Sequence, residues 1–300
     1  MDTITHTLFG LTLYGTVDKS AMTKREKRAL LFTAVAGSQI PDIDVISAWW
    51  DTGGRYQMWH RGITHSVFLV PVWAALLTAA VRLVGKVSGW RWFGLAALAV
   101  WIHDTSDLFN AWGTGYLEPF SSMRITFGTI PIVDPVYWLL MGAGALYANG
   151  KLRFRKRSGQ PPDRSPAKPR VYRAVWLLIA LYTALQSLQG AALYQKVKGN
   201  YEQTALSADF VPGVFTVIGK KGGVVELAKG SLWGGLKPAA RLQSAEDADL
   251  DRLFEGNPKA RTLYEWSPFV VIVDNGKELG VYDPRFYRNV QSFLFESIAK

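Results

Sequence analysis

The 300-residue sequence has no cysteine. This excludes disulfides and thiolate metal sites, and leaves histidine and carboxylate as the side chains open to a metal ion. Histidine is scarce, with four copies and none beyond His103. Charge is thin: 19 % of residues are charged and 49 % hydrophobic, where a soluble domain carries about a quarter charged residues. Met1–His6 holds one acidic residue and no basic one, so it does not read as the start of a signal peptide.

What is present is apolar and clustered. Val67–Val84 contains one charge, Arg82; Trp92–Ile102 contains none; Ile130–Ala148 contains Asp134; Ala174–Tyr194 contains none. A membrane-spanning helix needs roughly 20 apolar residues, with about 17 as a lower bound. Three of these runs reach that length, and the second does so if it continues through His103, Asp104 and Asp107 to Asn110. Two shorter segments, Ile4–Val17 and Ala29–Ile40, precede them, followed by a predicted loop over Pro41–Gly62. The expectation is a mainly α, polytopic helical membrane bundle over residues 1–198, with a small extramembrane α+β domain over 199–300.

Charge distribution assigns sides. The net charge is +10, but the surplus lies in Met1–Asn200, with 22 basic and 11 acidic residues; the remainder is balanced at 12 and 13. Lys24–Arg28, then Arg82, Lys86 and Arg91, then Lys151–Arg173 fall between apolar segments, the pattern of cytoplasmic loops. Nucleic-acid binding is disfavoured, because these clusters need no other partner. The 158–166 stretch of Ser, Gly and Pro reads as a flexible loop. Alternating through six segments predicts a multi-pass plasma-membrane protein whose histidines, aspartates and C-terminal domain lie on the extracytoplasmic face.

Beyond about Asp209 the pattern becomes strand-like. Phe210–Ile218 and Gly223–Ala228 flank Gly219–Gly222, and Phe269–Asp274 and Glu278–Tyr282 flank Asn275-Gly276, a hairpin signal because both positions tolerate positive φ. Arg241–Phe254 reads as an acidic helix, and Arg285–Ala299 as a helix or a strand-to-helix end.

The polar residues of the apolar half form motifs. Pro41-Asp42-Ile43-Asp44 sets two carboxylates two residues apart, suited to a metal or to an Asx-turn. In His60-Arg61-Gly62-Ile63-Thr64-His65-Ser66 a break at Gly62 would let both imidazoles reach one ion. His103 and Asp107 are i and i+4 on one helical face, with Asp104 beside them, and polar groups ending an apolar helix are costly unless paired or liganded. His6 completes the histidines. Nitrogen with carboxylate oxygen suits Zn²⁺, with Mn²⁺ or Fe²⁺ as alternatives, and more than four donors suggests more than one ion.

These motifs, together with Asp107–Thr114 and Pro119-Phe120-Ser121, resemble the bacterial membrane-bound metal-dependent hydrolase family, the group that includes LexA-regulated inner-membrane hydrolases. The His103-x-x-x-Asp107 spacing is also similar to the zinc-dependent phospholipase C and nuclease group. The resemblance covers about residues 1–150 and is most specific at His60–Ser66. It implies His6, Asp42, Asp44, His60, His65, His103 and Asp107 as metal ligands, and Asp104 and Asp134 as supporting or general-base residues. Arg61 and Arg124 would hold an anionic substrate group or snorkel to the interface. Asn110, Glu118 and Ser121 would line the loop above the site, and Trp49, Trp50, Trp59, Trp101 and Trp112 would form an interfacial belt. The expected function is hydrolysis of a phosphoester in a lipid or amphiphile at the bilayer. The alternative is a non-catalytic metal-binding regulator or sensor.

Overall fold

The computed structural model describes residues 1–157, 167–288 and 291–300. The flexible-loop expectation for 158–166 lies outside the described residues. The chain is about half helical and ends in a β-rich domain.

Helix α1 (Thr3–Gly15) begins where Asp2 accepts hydrogen bonds from the Ile4 and Thr5 amides, a carboxylate cap on otherwise unpaired donors. Helix α2 (Lys24–Gly37) opens on a reciprocal box between Thr23 and Glu26. The predicted loop after it is partly helical instead: a 3₁₀ segment, Ile40–Trp49, has Pro41 in its first turn, and the short α3 (Tyr56–Trp59) follows. Helices α4 (Val70–Leu83), α5 (Trp90–Asp107), α6 (Pro135–Arg157) and α7 (Ala167–Val197) complete this half. Small residues allow the helices close approach. A Cβ on Gly10 would lie 2.8 Å from the Ala34 carbonyl oxygen of α2, and one on Gly37 would lie 2.8 Å from the Ala99 Cβ of α5. Phe9, Tyr137, Met141, Val175 and Ile179 fill the space between α1, α6 and α7.

Among the described residues one helix, Lys168–Asn200, is long and apolar enough to cross a membrane. Two bent pairs, Lys24–Gly37 with Ile40–Trp49 (56°) and Tyr56–His65 with Val67–Leu83 (49°), raise this to three if each is one broken span. The apolar runs predict six spans; the structure instead bends the chain where the polar motifs join two of those runs, between Gly37 and Ile40 and between His65 and Val67.

The C-terminal domain holds a four-stranded antiparallel meander: β1 (Gln203–Ala208), β2 (Val214–Lys221), β3 (Val224–Ser231) and β4 (Gly235–Gln243). Its register slips between Leu227 and Ala228, where β4 carries Pro238. A proline has no amide to donate, and β4 is an edge strand where that is tolerated. Two helices, α8 (Leu250–Gly256) and α9 (Pro258–Trp266), lead into β5 (Val271–Asp274) and β6 (Glu278–Tyr282), joined at Asn275-Gly276 as anticipated. The acidic helix is shorter than expected because β4 takes up Arg241–Gln243. Among the described residues of Arg285–Ala299 there is no α-helix: a 3₁₀ turn (Pro284–Phe286) leads into β7 (Tyr287–Arg288), β8 (Gln291–Ser292) and β9 (Phe295–Ala299), the last pairing with β6.

Candidate metal centre

The structure gathers residues from four elements. His6 lies one turn into α1, Asp42 and Asp44 on the 3₁₀ segment, His60 and His65 on either side of the α3–α4 turn, and His103, Asp104 and Asp107 on the last turn and a half of α5. The chain reverses at Arg61, which takes φ +59°, rather than at Gly62. Gly62 is required for another reason: a Cβ there would lie 2.9 Å from the Trp59 carbonyl oxygen.

Two donor sets form. In the first, Asp42, His65, His103 and Asp107 each offer a ligand atom within 4.8 Å of the others; in the second, Asp42, Asp44 and His60 do the same. Asp42 belongs to both. In the first set His65 Nε2 lies 3.2 Å from Asp42 Oδ1 and 3.6 Å from Asp107 Oδ2. His103 Nε2 lies 3.1 Å from His65 Nε2, 3.6 Å from Asp42 Oδ1 and 3.9 Å from Asp107 Oδ2. Ligand bonds of about 2.0–2.2 Å arranged tetrahedrally place neighbouring donors roughly 3.3–3.6 Å apart. The five edges of 3.1–3.9 Å match that spacing.

The hydrogen bonds behind these atoms fix their protonation. His103 Nδ1 lies 2.8 Å from the Ser38 carbonyl oxygen, which can only accept. Nδ1 therefore carries the proton, and in the neutral ring Nε2 is a lone pair. Thr64 Oγ1 donates to Asp44 Oδ2 at 2.9 Å and lies 3.0 Å from His65 Nδ1, so that nitrogen donates to the hydroxyl and His65 Nε2 is a lone pair as well. Two nitrogen lone pairs and two carboxylates then converge with no proton among them. Asp107 is already faced by the Met1 α-amino group and the Arg61 guanidinium, and the chemistry of the four donors fits a divalent ion.

His6 stacks on the His103 ring at 3.7 Å, and its Nε2 lies 3.4 Å from Asp107 Oδ1. It is fully buried, and neither ring nitrogen has a hydrogen-bond partner. Asp104 is equally buried with both oxygens unpartnered. The Met1 α-amino group contacts Asp107 Oδ1. In the second set His60 Nδ1 lies 3.0 Å from Asp44 Oδ1, while Asp44 Oδ2 also accepts from the Arg61 amide.

Four sequence expectations require correction, those for Asp134, Arg61, Arg124 and Trp112. Asp134 stands apart from both donor sets. It accepts from the Val136 and Tyr137 amides and from the Tyr182 hydroxyl, so it caps α6 and ties it to α7. Arg61 is buried and turned onto the chain's own groups: Nε lies 3.0 Å from Asp107 Oδ2 as an ion pair, Nη1 donates to Asn110 Oδ1 and Nη2 to the Met1 carbonyl. Arg124 likewise clamps backbone, donating to the Met58, His60 and Gly113 carbonyls. Both guanidiniums hold the site together rather than facing a substrate, and sequence could not separate these uses because an arginine beside a motif serves either. Of the loop residues, Asn110 braces Arg61, Ser121 accepts from the Met123 amide, and burial pushes the Glu118 carboxyl above its usual value while Arg124 partly offsets this. Trp112 packs on Trp266 and Phe286 of the C-terminal domain instead of joining a belt, whereas Trp49 and Trp50 are exposed, at 84 % and 63 %.

Sequence reasoning missed Thr64 as a positioning residue and the Ser38 carbonyl as the partner that fixes His103. A cleft of about 520 Å³ reaches the donors, lined by Asp42 and His60 and by the apolar Ala36, Ile40, Ile43 and Val45.

The chain belongs to the YdjM inner membrane protein family, which it matches over residues 1–193. This associates it with the membrane and covers every residue of both donor sets. It is also similar to the uncharacterized protein YfhP of Bacillus subtilis (strain 168), 32 % identical over 159 residues, covering 50 % of this chain and 47 % of that protein. The chain thus spans about half the length of the curated relative it matches. No solved structure matches it.

Proposed function

We propose that the protein is a multi-pass membrane hydrolase that uses two divalent ions, sharing Asp42, to cleave a phosphoester in a lipid or related amphiphile. The observation that carries this reading is the pair of donor sets meeting at one carboxylate, with the His65 and His103 lone pairs aimed into the first. A shared carboxylate suits paired ions a few ångströms apart, an arrangement used in phosphoester hydrolysis. Zn²⁺ suits the first set best, and Mn²⁺ or Fe²⁺ would be accepted by the same donors.

When bound, the ions would polarise the phosphoryl oxygen and acidify water. The chain supplies the rest. Asp42, His65, His103 and Asp107 would hold one ion and Asp42, Asp44 and His60 the other, and Arg61 lies against the Asp107 carboxylate. Asp104, whose oxygens have no partner, accepts the proton that water releases. In such a hydrolysis a water oxygen would bond to phosphorus as the ester P–O bond breaks, and the proton taken up by Asp104 would pass to the departing alkoxide. Apolar residues beside Asp42 and His60 in the cleft favour a substrate with a hydrocarbon part.

The test is metal content and turnover of the full-length protein in detergent. Wild type should hold about two ions and hydrolyse a phospholipid-like ester, with activity lost to chelator. Asp42→Asn should empty both positions, and His60→Ala one. A preparation that binds no metal, or whose turnover survives Asp42→Asn, overturns the reading. Metal binding without turnover on a broad ester panel would favour the regulator. That alternative draws support from the C-terminal domain resting on the loops around the site, through Thr262 to the Gly53 carbonyl and Arg285 to the Ala111 carbonyl.

A further inference from the structure

The 3₁₀ segment Ile40–Trp49 carries donors on one side and an apolar surface on the other. Pro41, Asp44 and Ser47 are turned inward, at the three-residue spacing that aligns side chains on one face of a 3₁₀ helix. Outward, Ile43, Val45, Ile46, Trp49 and Trp50 are 37–84 % exposed. Every exposed residue from Ile43 to Trp50 is apolar or aromatic. A contiguous surface of that composition marks an interaction site. Ile43 and Val45 also line the cleft that reaches Asp42 and His60, so the mouth of the cleft and the apolar surface share side chains.

We infer that this face lies in the membrane–water boundary and opens the cleft sideways into the bilayer, so that a lipid reaches Asp42 from the leaflet rather than from water. Three observations select lipid as the partner. First, the face continues one that the bilayer covers. The chain belongs to an inner membrane family, and α2 with this segment is long and apolar enough to form a broken span. Phe32, Ala36, Ile40 and Ile43 follow one another at four, four and three residues, which keeps them on one side. Phe32 and Ile43 are exposed, Ala36 and Ile40 half-buried, and the last three form the apolar wall of the cleft. Second, the segment has the direction of a boundary element. Its ten residues are about 20 Å long at roughly 2.0 Å per residue, and the 56° bend from α2 turns that into about 11 Å along α2 and about 17 Å to the side. Third, its far end is Trp49-Trp50, and tryptophan is the residue that favours the membrane–water boundary. A lipid phosphoester as the cargo rests on the function proposed above; the lateral opening does not.

The chain has no cysteine, so single substitutions can carry a nitrobenzoxadiazole probe. Ile43→Cys, Val45→Cys and Trp49→Cys all alter exposed positions. Each is labelled in the full-length protein and reconstituted in phosphatidylglycerol–phosphatidylcholine vesicles. Leu76→Cys, on the exposed side of α4, reports lipid, and Asp247→Cys, exposed on the C-terminal domain, reports water. All three probes are expected to lose fluorescence to a doxyl-labelled phosphatidylcholine as Leu76→Cys does, and to resist iodide. Iodide quenching of Val45→Cys and Trp49→Cys to the extent seen at Asp247→Cys overturns the boundary placement. Iodide quenching of Ile43→Cys alone overturns the lateral opening, because the cleft would then meet water. A disulfide-linked dimer of unlabelled Trp49→Cys in the membrane also overturns it, since a second copy would then cover the face. None of these readouts needs bound metal or turnover, so a protein that lacks hydrolase activity can still show the lateral opening, and an active one can fail to.

Discussion

Thr64 has one hydroxyl proton, and Asp44 takes it, so the oxygen is left to accept from His65 Nδ1. This relay sets the lone pair of His65 on Asp42 and His103, although Thr64 itself belongs to neither donor set. Thr64→Val keeps the shape and removes the relay. Loss of such an outer partner costs about 10–100-fold in metal affinity, and the expected result is a weakening of that order by competition with a chelator. Wild-type affinity would exclude the relay. Arg61 is a second residue whose value lies in what it holds. It adopts a positive φ that non-glycine residues rarely take, and three contacts, to Asp107, Asn110 and Met1, keep it there. Arg61→Ala removes one of the two cations on the buried Asp107 carboxylate, the Met1 α-amino group being the other, a loss of about 3 kcal/mol. Denaturation of the metal-free protein in detergent should show a deficit of that size, and the deficit should shrink when metal is added.

At the scale of elements, the donors meet only because α1, α2 and α5 pack backbone to backbone. Gly10 is one turn beyond His6 on the same face of α1 and touches Ala34 of α2. Gly10→Val would overpack that contact, at about 1–3 kcal/mol, and swing His6 away from His103. Reduced thermal stability with reduced metal occupancy is expected; stability loss alone would detach α1 from the centre. Elements were legible in the sequence where one physical cause dominates. Long apolar runs gave α4 to α7, and Asn275-Gly276 gave the β5–β6 turn. His60–Ser66 and His103–Asp107 were readable because few other uses bring histidine to apolar helix ends. Elements settled by distant partners were not legible. β9 is a strand because β6 offers an unpaired edge, and β1 and β4 flank a meander whose inner strands alone carry a strong pattern. Asp134 was misjudged for a related reason: a carboxylate at the start of an apolar segment serves as a helix cap or a metal ligand with the same sequence signature.

At the scale of the whole molecule, both domains close over one end of the helices. The α9 helix packs on α3, and Trp112 packs against Trp266 and Phe286, so the loops around the donors and the C-terminal domain lie at the same end of the helices. The basic segment Lys24–Arg28 lies at the other end of α2, a helix that runs from those charges to Ser38 beside His103. On the proposed multi-pass topology, retention of positive charge in the cytoplasm predicts that the donors and the C-terminal domain lie outside. Because the chain has no cysteine, single substitutions report this directly. Arg25→Cys and Asp247→Cys both alter exposed residues, so neither should disturb the fold. A membrane-impermeant maleimide should label Asp247→Cys in cells whose inner membrane is intact, and Arg25→Cys only after that membrane is permeabilised. The reverse pattern would place the metal centre in the cytoplasm and would confine the substrate to the inner leaflet. Labelling of both without permeabilisation would mean that α2 and the 3₁₀ segment form a re-entrant hairpin rather than a span, a topology that the 56° bend between them also accommodates.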